Sequence, residues 1–265
     1  MRFYQRILID VHSKVDKLGW LNDGPGFVLY TNVYFAYKRR LEGRELIRQV
    51  KYLRRNHSNF ASTSLVIDIG AHIGFFTREA LRLFPGIKVI AVEPPGRNSS
   101  SFQKINAGKI SAGLVQFHNA AAWSFNGQIP FHFEDSNTAN NRFNSSSTIK
   151  VPCLTIDSLI IQSLPSILIL KIDVQGFEFE VLEGAIETLK LHKVALLIEL
   201  DEGALQARGK SSVELWHKLQ DLGFYAQNIR SGAEITLQEV QTMLQRKDCL
   251  DFLFISRINN TGDKN

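Results

Sequence analysis

Short apolar runs alternate with amphipathic stretches from residue 65 onward. Between the first two runs, apolar residues recur at helical spacing until Pro85-Gly86 ends the helix. This alternation is typical of βαβ units and predicts a mostly parallel sheet covered by helices, one of them over Phe177–Leu189. The predicted strands are Leu65–Ile69, Lys88–Glu93, Val115–Asn119, Ile167–Ile172, Val194–Leu200, Phe224–Ile229 and Asp251–Ser256.

A hairpin interrupts the alternation. Gln128–Glu134 and Thr148–Leu154 predict its two strands, and the loop between them, Asp135–Ser147, is rich in Asn, Ser and Thr. A polar loop of this length inside a domain is either a substrate lid or simply a mobile connection.

The N-terminal segment is different in character. Phe35–Leu53 predicts one helix with an apolar face and many Lys and Arg residues. Its basic face is either an ordinary solvated surface or a patch for phosphate-bearing substrates or membranes. We therefore expect three parts: a helical extension (1–60), an α/β domain (61–258) and a polar tail (259–265).

A glycine-containing turn follows the first predicted strand. Gly70 allows the backbone to approach a ligand, and Gly74 lets the next helix pack closely. His72 and Phe75 stand where a dinucleotide fingerprint requires glycine, so a nicotinamide site is excluded. Glu93 ends the next strand, where a carboxylate binds ribose hydroxyls. The predicted ligand is nucleotide-like, and its predicted contacts are Asp68, Gly70, Ala71, His72, Gly74, Phe75, Thr77, Glu93, Pro94, Asn119, Ala120, Ala121 and Asp173.

Carboxylates end four of the predicted strands. Because the carboxyl ends of parallel strands meet at one edge of a sheet, we expect Asp68, Glu93, Asp173 and Glu199 to converge there. Asp173 and Glu199 are candidate catalytic bases, with Lys171 on the same side of its strand as Asp173. The ring of His72 is a third candidate base, or it only shapes the pocket.

Composition narrows the possibilities. The chain has 265 residues, and its 44% of hydrophobic residues is ordinary for a globular protein. Its net charge of +5 makes anionic partners possible. Cys153 and Cys249 have no disulfide or metal-ligand spacing, so free thiols and no metal are expected. No apolar run could span a membrane, and Met1–Trp20 lacks the apolar region of a signal peptide, which predicts a cytoplasmic protein.

Several motifs together resemble the FkbM family of methyltransferases. The strongest is Leu170–Glu178, which is followed by Val181-Leu182-Glu183-Gly184-Ala185. Val66–Thr77, Val92-Glu93-Pro94 and Val151–Leu159 also match, and the likeness covers residues 62–230. The chain departs from the family at Gln175, where the family usually has Glu.

The resemblance implies a class I methyltransferase fold, Rossmann-like, with seven strands of which the last is antiparallel. It also implies S-adenosylmethionine as cofactor and O-methylation of a hydroxyl on a carbohydrate or natural-product-like small molecule. Two alternatives stay open. The basic helix raises the possibility of an RNA ribose 2′-O-methyltransferase. Gln175 raises the possibility of a catalytically silent module that only binds the cofactor.

Overall fold

The computed structural model describes residues 25–40, 43–57, 65–132, 142–143, 147–160, 167–191, 193–246 and 249–257. The strands are β1 Leu65–Ile69, β2 Lys88–Val92, β3 Val115–His118, β4 Ala121–Ala122, β5 Gly127–His132, β6 Arg142–Phe143, β7 Lys150–Leu154, β8 Ile167–Ile172, β9 Lys193–Asp201, β10 Phe224–Ala226 and β11 Cys249–Ser256. The helices are α1 Pro25–Arg40, α2 Arg44–Asn56, α3 Phe75–Leu83, α4 Arg97–Ser111, α5 Ile156–Leu159, α6 Glu178–Glu183, α7 Ile186–Leu191, α8 Glu202–Gln206, α9 Ser212–Asp221 and α10 Leu237–Arg246.

Seven strands form the central sheet, in the order β10-β11-β9-β8-β1-β2-β3. β1 pairs in parallel with β2 and β8, and β8 pairs in parallel with β9. The last strand, β11, is antiparallel to both β9 and β10. This confirms the predicted α/β class, with a mostly parallel seven-stranded sheet and an antiparallel last strand.

Apolar clusters cover both faces of the sheet, as expected for strands that are continuous hydrophobic runs. All five residues of β1 are buried. On one face, α2 packs its buried residues Leu46, Ile47, Val50 and Leu53 into a cluster with residues of α3, β1 and β2. The apolar side of α2 therefore anchors this helix to the sheet, and its basic side faces solvent.

The prediction of one helix over Phe35–Leu53 is wrong, because two helices, α1 and α2, occupy this region. The backbone N–H of Gly43 donates to the carbonyl of Lys38 at 2.7 Å. A Cβ at Gly43 would lie 2.3 Å from the Phe75 ring. The ring fills the space that a side chain would need, so the chain turns at glycine and starts a new helix.

The prediction of one helix over Phe177–Leu189 is also wrong, since α6 ends at Glu183 and α7 begins at Ile186. A Cβ at Gly184 would lie 2.0 Å from the carbonyl oxygen of Trp123. The Asp157 side chain accepts from the backbone N–H of Thr188 at 2.8 Å, which satisfies a donor in the first turn of α7. The close approach of Gly184 to the Trp123 backbone, together with the Asp157 cap on α7, therefore divides the predicted helix in two.

The predicted hairpin is confirmed. β5 pairs antiparallel with β7, and the short strand β6 pairs antiparallel with β5. Apart from residues 142–143 and 147, the predicted loop between the hairpin strands lies outside the described residues, as do residues 1–24 and the tail from 258. Across the described helices, no segment has the length and apolar character needed to cross a membrane.

Candidate active site

The turn after β1 is held by Asp68, whose side chain is fully buried. Its Oδ2 accepts from the backbone N–H and the hydroxyl of Thr77 at 3.1 and 2.7 Å. Gly70 has φ +72, and a Cβ there would lie 1.9 Å from the carbonyl oxygen of Asp173. Only glycine allows this approach between the ends of β1 and β8.

Glu93 follows β2 and links its end to the same turn. Its Oε2 accepts from the backbone N–H of His72 at 2.9 Å, and its Oε1 accepts from the Asn98 amide at 3.3 Å. Burial raises the pKa of Glu93 to about 7, although these hydrogen bonds favour the ionised form. The carboxyl group borders the central cavity, where it is available to a ligand.

A buried ion cluster lies at the end of β8. Lys171 Nζ is 3.2 Å from Asp173 Oδ2 and 3.7 Å from Asp68 Oδ1, and it donates to the carbonyl of Gly70 at 3.2 Å. Burial alone would lower the pKa of Lys171, but the two carboxylates hold it above its ordinary value. Burial alone would raise the pKa of Asp173, but Lys171 holds it below its ordinary value. Asp173 is therefore ionised at neutral pH.

Glu199, near the end of β9, is protonated at neutral pH, unlike Asp173. Burial and the neighbouring Asp173 carboxylate raise the pKa of Glu199 to about 9. The two carboxyl groups are hydrogen-bonded to each other, and the Gln175 amide donates to both, at 3.3 Å to Asp173 Oδ1 and at 3.1 Å to Glu199 Oε2. The site thus combines an ionised aspartate with a protonated glutamate at neutral pH.

These groups border one cavity of about 410 Å³ at the carboxyl edge of the sheet. Of the predicted site residues, those that line it are Gly70, Ala71, His72, Phe75, Glu93, Pro94, Ala121, Lys171, Asp173 and Glu199. The others do not line it; they are Asp68, Gly74, Thr77, Asn119 and Ala120. Asp68 and Thr77 instead bond to each other behind the turn, so they support its shape from the protein interior.

The cavity has further lining residues that the sequence did not indicate. They include Tyr34, Lys38, Leu46, Asn98, Trp123, Ile129, Phe131, Phe177, Cys249 and Asp251. Trp123 directly follows the segment Asn119-Ala120-Ala121-Ala122, of which the first three residues were predicted contacts, so extending that prediction would have found it. Asp251 pairs with Glu199 across β11 and β9, and the predicted antiparallel direction of the last strand was the signal for it.

A possible cation site is accounted for by protein contacts. Glu199, Asp201 and Cys249 have ligand atoms within 4.8 Å of one another. The Cys249 thiol donates to Glu199 Oε1 at 2.8 Å, and Asp201 accepts from the backbone N–H of Ala204 at 2.9 Å as the cap of α8. Cys249 and Cys153 are both free thiols. The three groups therefore have partners without an ion.

Residues 68–225, more than half of the chain, match the model of the methyltransferase FkbM domain. The chain belongs to the FkbM methyltransferase family. The matched range includes the turn after β1, Glu93, and the Asp173–Glu199 pair. A search of curated proteins finds no match to this FkbM chain.

The solved structures that this chain resembles are only distantly similar to it in sequence. The FkbM methyltransferase from Methylobacillus flagellatus KT is 16% identical, with a TM-score of 0.48 over 73% of this chain and 43% of that one. An O-methyltransferase family protein from Burkholderia thailandensis is 13% identical, with a TM-score of 0.45 over 86% and 59%. The plantazolicin methyltransferase BamL, solved with SAH, is 12% identical, with a TM-score of 0.45 over 95% and 98%. The chain thus spans about half the length of the first two.

Proposed function

We propose that this FkbM protein is an S-adenosylmethionine-dependent O-methyltransferase that acts on a hydroxyl of a carbohydrate or natural-product-like small molecule. The observation that carries the proposal is the ionised Asp173 carboxylate at the cavity, held between Lys171 at 3.2 Å and the Gln175 amide at 3.3 Å. A hydroxyl acceptor needs such a group, because its proton must leave as the new bond forms.

The residues of the cavity fit the proposed cofactor. The Glu93 carboxyl group suits the two ribose hydroxyls, and Pro94 and Ala121 offer apolar contact for an adenine ring. The volume of about 410 Å³ is within the range of small-molecule sites, roughly 300–1,000 Å³. When bound, S-adenosylmethionine supplies an activated methyl group whose bond to sulfur breaks with both electrons kept by sulfur.

The protein's own contribution is positioning and proton transfer. Asp173 accepts the proton of the acceptor hydroxyl while the oxygen gains the methyl group. Lys171 stabilises the ionised form of Asp173 before transfer. Glu199, which is protonated at neutral pH, does not compete with Asp173 as a base. Among the three predicted catalytic residues, Asp173 thus takes the proton, and Lys171 and Glu199 set its charge state.

The rest of the cavity wall suits a ring-containing acceptor. Trp123 and Phe177 lie together with ring centroids 5.4 Å apart, and both line the cavity beside Phe131. Tyr34 from α1 and Leu46 from α2 also line the cavity. Aromatic faces of this kind favour sugar rings and planar scaffolds, which present flat apolar surfaces with hydroxyls at their edges.

Replacing Glu93 with Ala is expected to weaken cofactor binding by about tenfold, about 1.4 kcal/mol. The variant loses the carboxyl group proposed to bind the ribose and also the bond to the His72 N–H. Calorimetric titration with S-adenosylmethionine measures the change in affinity. Glu187→Ala, on the exposed side of α7, is the control. Equal affinity of the Glu93 variant and the wild type would refute the assignment.

One observation favours RNA ribose 2′-O-methylation as a second candidate function. Four exposed cations on α2, namely Arg44, Arg48, Lys51 and Arg55, recur at intervals of four, three and four residues and so form one stripe. Because like charges at this spacing destabilise a helix, the stripe does not serve the stability of α2. The stripe extends about 17 Å at 1.5 Å per residue and begins beside Gly43, which lines the cavity. It suits the phosphates of a strand that leads to the site.

The RNA candidate predicts binding that weakens steeply with salt. Replacing Arg44, Lys51 and Arg55 with Gln should lower the affinity for a single-stranded oligonucleotide and reduce the log–log salt slope by about 2, at about 0.7 per lost phosphate contact. Filter binding between low and high salt measures both. The matched control replaces the exposed cations Lys88, Lys190 and Arg246 with Gln. Wild-type protein that is not retained by RNA at low salt eliminates this candidate.

A further inference from the structure

The amide of Gln175, in the turn after β8, lies between two carboxyl groups. An amide nitrogen carries two hydrogens, so it donates to two acceptors at once. In this chain, one donor is directed to Asp173 Oδ1 at 3.3 Å and the other to Glu199 Oε2 at 3.1 Å. An ionised glutamate at this position would offer no donor and would add a third carboxylate.

The surroundings of the pair fix how much negative charge it carries. Lys171 contacts Asp173, and Lys38 adds a second favourable charge. Asp68, Asp251 and Glu178 are the neighbouring acidic groups, and the Cys249 thiol donates to Glu199. Two carboxyl groups in contact are expected to hold one proton between them, in line with the lowered pKa of Asp173 and the raised pKa of Glu199. A third carboxyl group would require a further proton.

The backbone holds the amide in place. Gln175 has φ +56, a left-handed conformation that is uncommon for glutamine, and Gly176 follows with φ +94. A Cβ at Gly176 would lie 2.6 Å from the carbonyl oxygen of Ala204. The Glu178 side chain accepts from the Gly176 N–H at 3.2 Å. Strained conformations of this kind persist where the surrounding structure determines them, and they concentrate at functional sites.

We propose that Gln175 is a positioning residue that holds Asp173 and Glu199 as a pair with one shared proton, so that Asp173 stays a proton acceptor at neutral pH. The proposal rests on the proposed O-methyltransferase function for its role in catalysis, but the charge state of the pair is a property of the protein alone. Gln175 is then part of a working site and not a sign of a silent one.

The decisive variant is Gln175→Glu, which keeps the shape of the side chain and removes both donors. Infrared titration of the carboxyl groups in protein without cofactor should show the pair retaining its last proton to a pH at least one unit higher than in the wild type. In transfer assays, the acidic limb of the rate profile follows the ionisation of Asp173 and should also shift upward; a shift of one pH unit lowers the rate about tenfold on that limb. Unchanged titration and an unchanged limb would overturn the proposal.

Two further variants separate this role from a structural one. Gln206→Glu is the matched control, because Gln206 is exposed and its amide also donates to a carboxylate, that of Glu202 at 2.8 Å. It should leave the infrared titration and the rate profile unchanged. Gln175→Gly relieves the left-handed backbone but loses both hydrogen bonds of the amide, and it should also shift the titration upward. If it shifts only the stability, Gln175 has a structural role and the proposal fails.

The outcomes also distinguish this proposal from the function on which it rests. A wild-type protein that binds no S-adenosylmethionine, or transfers no methyl group to any acceptor class, contradicts the proposed function. The infrared titration still measures the proton shared by Asp173 and Glu199 in that case. An upward shift in Gln175→Glu then supports the role of the amide, and its absence refutes that role.

Discussion

Asp173→Asn is expected to lower methyl transfer by a factor of about 10² to 10⁴, the usual contribution of a general base. Asparagine has nearly the same shape and can still receive a hydrogen bond from Lys171, but it cannot take a proton from an acceptor hydroxyl. The affinity for S-adenosylmethionine should change by only a few fold, since the proposed ribose contact, Glu93, is intact. Transfer of a labelled methyl group and calorimetric titration measure the two effects separately.

Asp201→Asn is the matched control for this substitution. Asp201 ends β9 near the same edge, but it caps α8 and does not line the cavity. Asparagine caps helices as well as aspartate does, so both stability and transfer should be retained. If Asp173→Asn transfers methyl groups at the wild-type rate, Asp173 is not the base, and the proton must leave by another route.

Gly70→Ala is expected to destabilise the protein by about 3 kcal/mol or more and to abolish cofactor binding. Two effects combine: φ +72 is strained for alanine, and its Cβ would lie 1.9 Å from the carbonyl oxygen of Asp173. Relief of this contact requires the ends of β1 and β8 to separate, which would also disturb the Lys171 bond to the Gly70 carbonyl. Chemical denaturation and calorimetric titration measure the two losses.

The control for the glycine substitution is Gly108→Ala. Gly108 lies within α4, and a Cβ there would have no atom within 4 Å. Alanine is the better helix former, so this variant should gain about 0.5 to 1 kcal/mol in stability. A Gly70→Ala protein as stable as the wild type would show that the two strand ends are free to move apart.

The strands could be predicted closely, whereas two helix breaks could not. Buried parallel strands are continuous apolar runs, and β1 and β8 have the predicted bounds. The breaks at Gly43 and Gly184 depend on the Phe75 ring and the Trp123 carbonyl, which are distant in sequence. A helical apolar pattern continues across both glycines, so periodicity alone predicts one helix where tertiary contacts impose two.

The convergence of the acidic groups was predictable because parallel strands present their carboxyl ends at one edge. The charge states of these acidic groups could not be predicted from the sequence. The difference between Asp173 and Glu199 depends on burial, on Lys171 and on the contact between the two carboxyl groups, and these appear only once the side chains are placed. The contribution of Lys38 depends on how α1 packs against the domain, for which the sequence contains no local signal.

The wall of the cavity has a consequence for how this protein could acquire new acceptors. Tyr34 and Leu46 precede the range that matches the family, and Leu250 and Asp251 follow it. The proposed proton acceptor and the turn after β1 lie inside that range. The same flanking segments carry Lys38, Cys249 and Asp251, which act on the Asp173–Glu199 pair. Exchange of these segments between relatives would therefore change the shape offered to an acceptor and the charge state of the proposed base together.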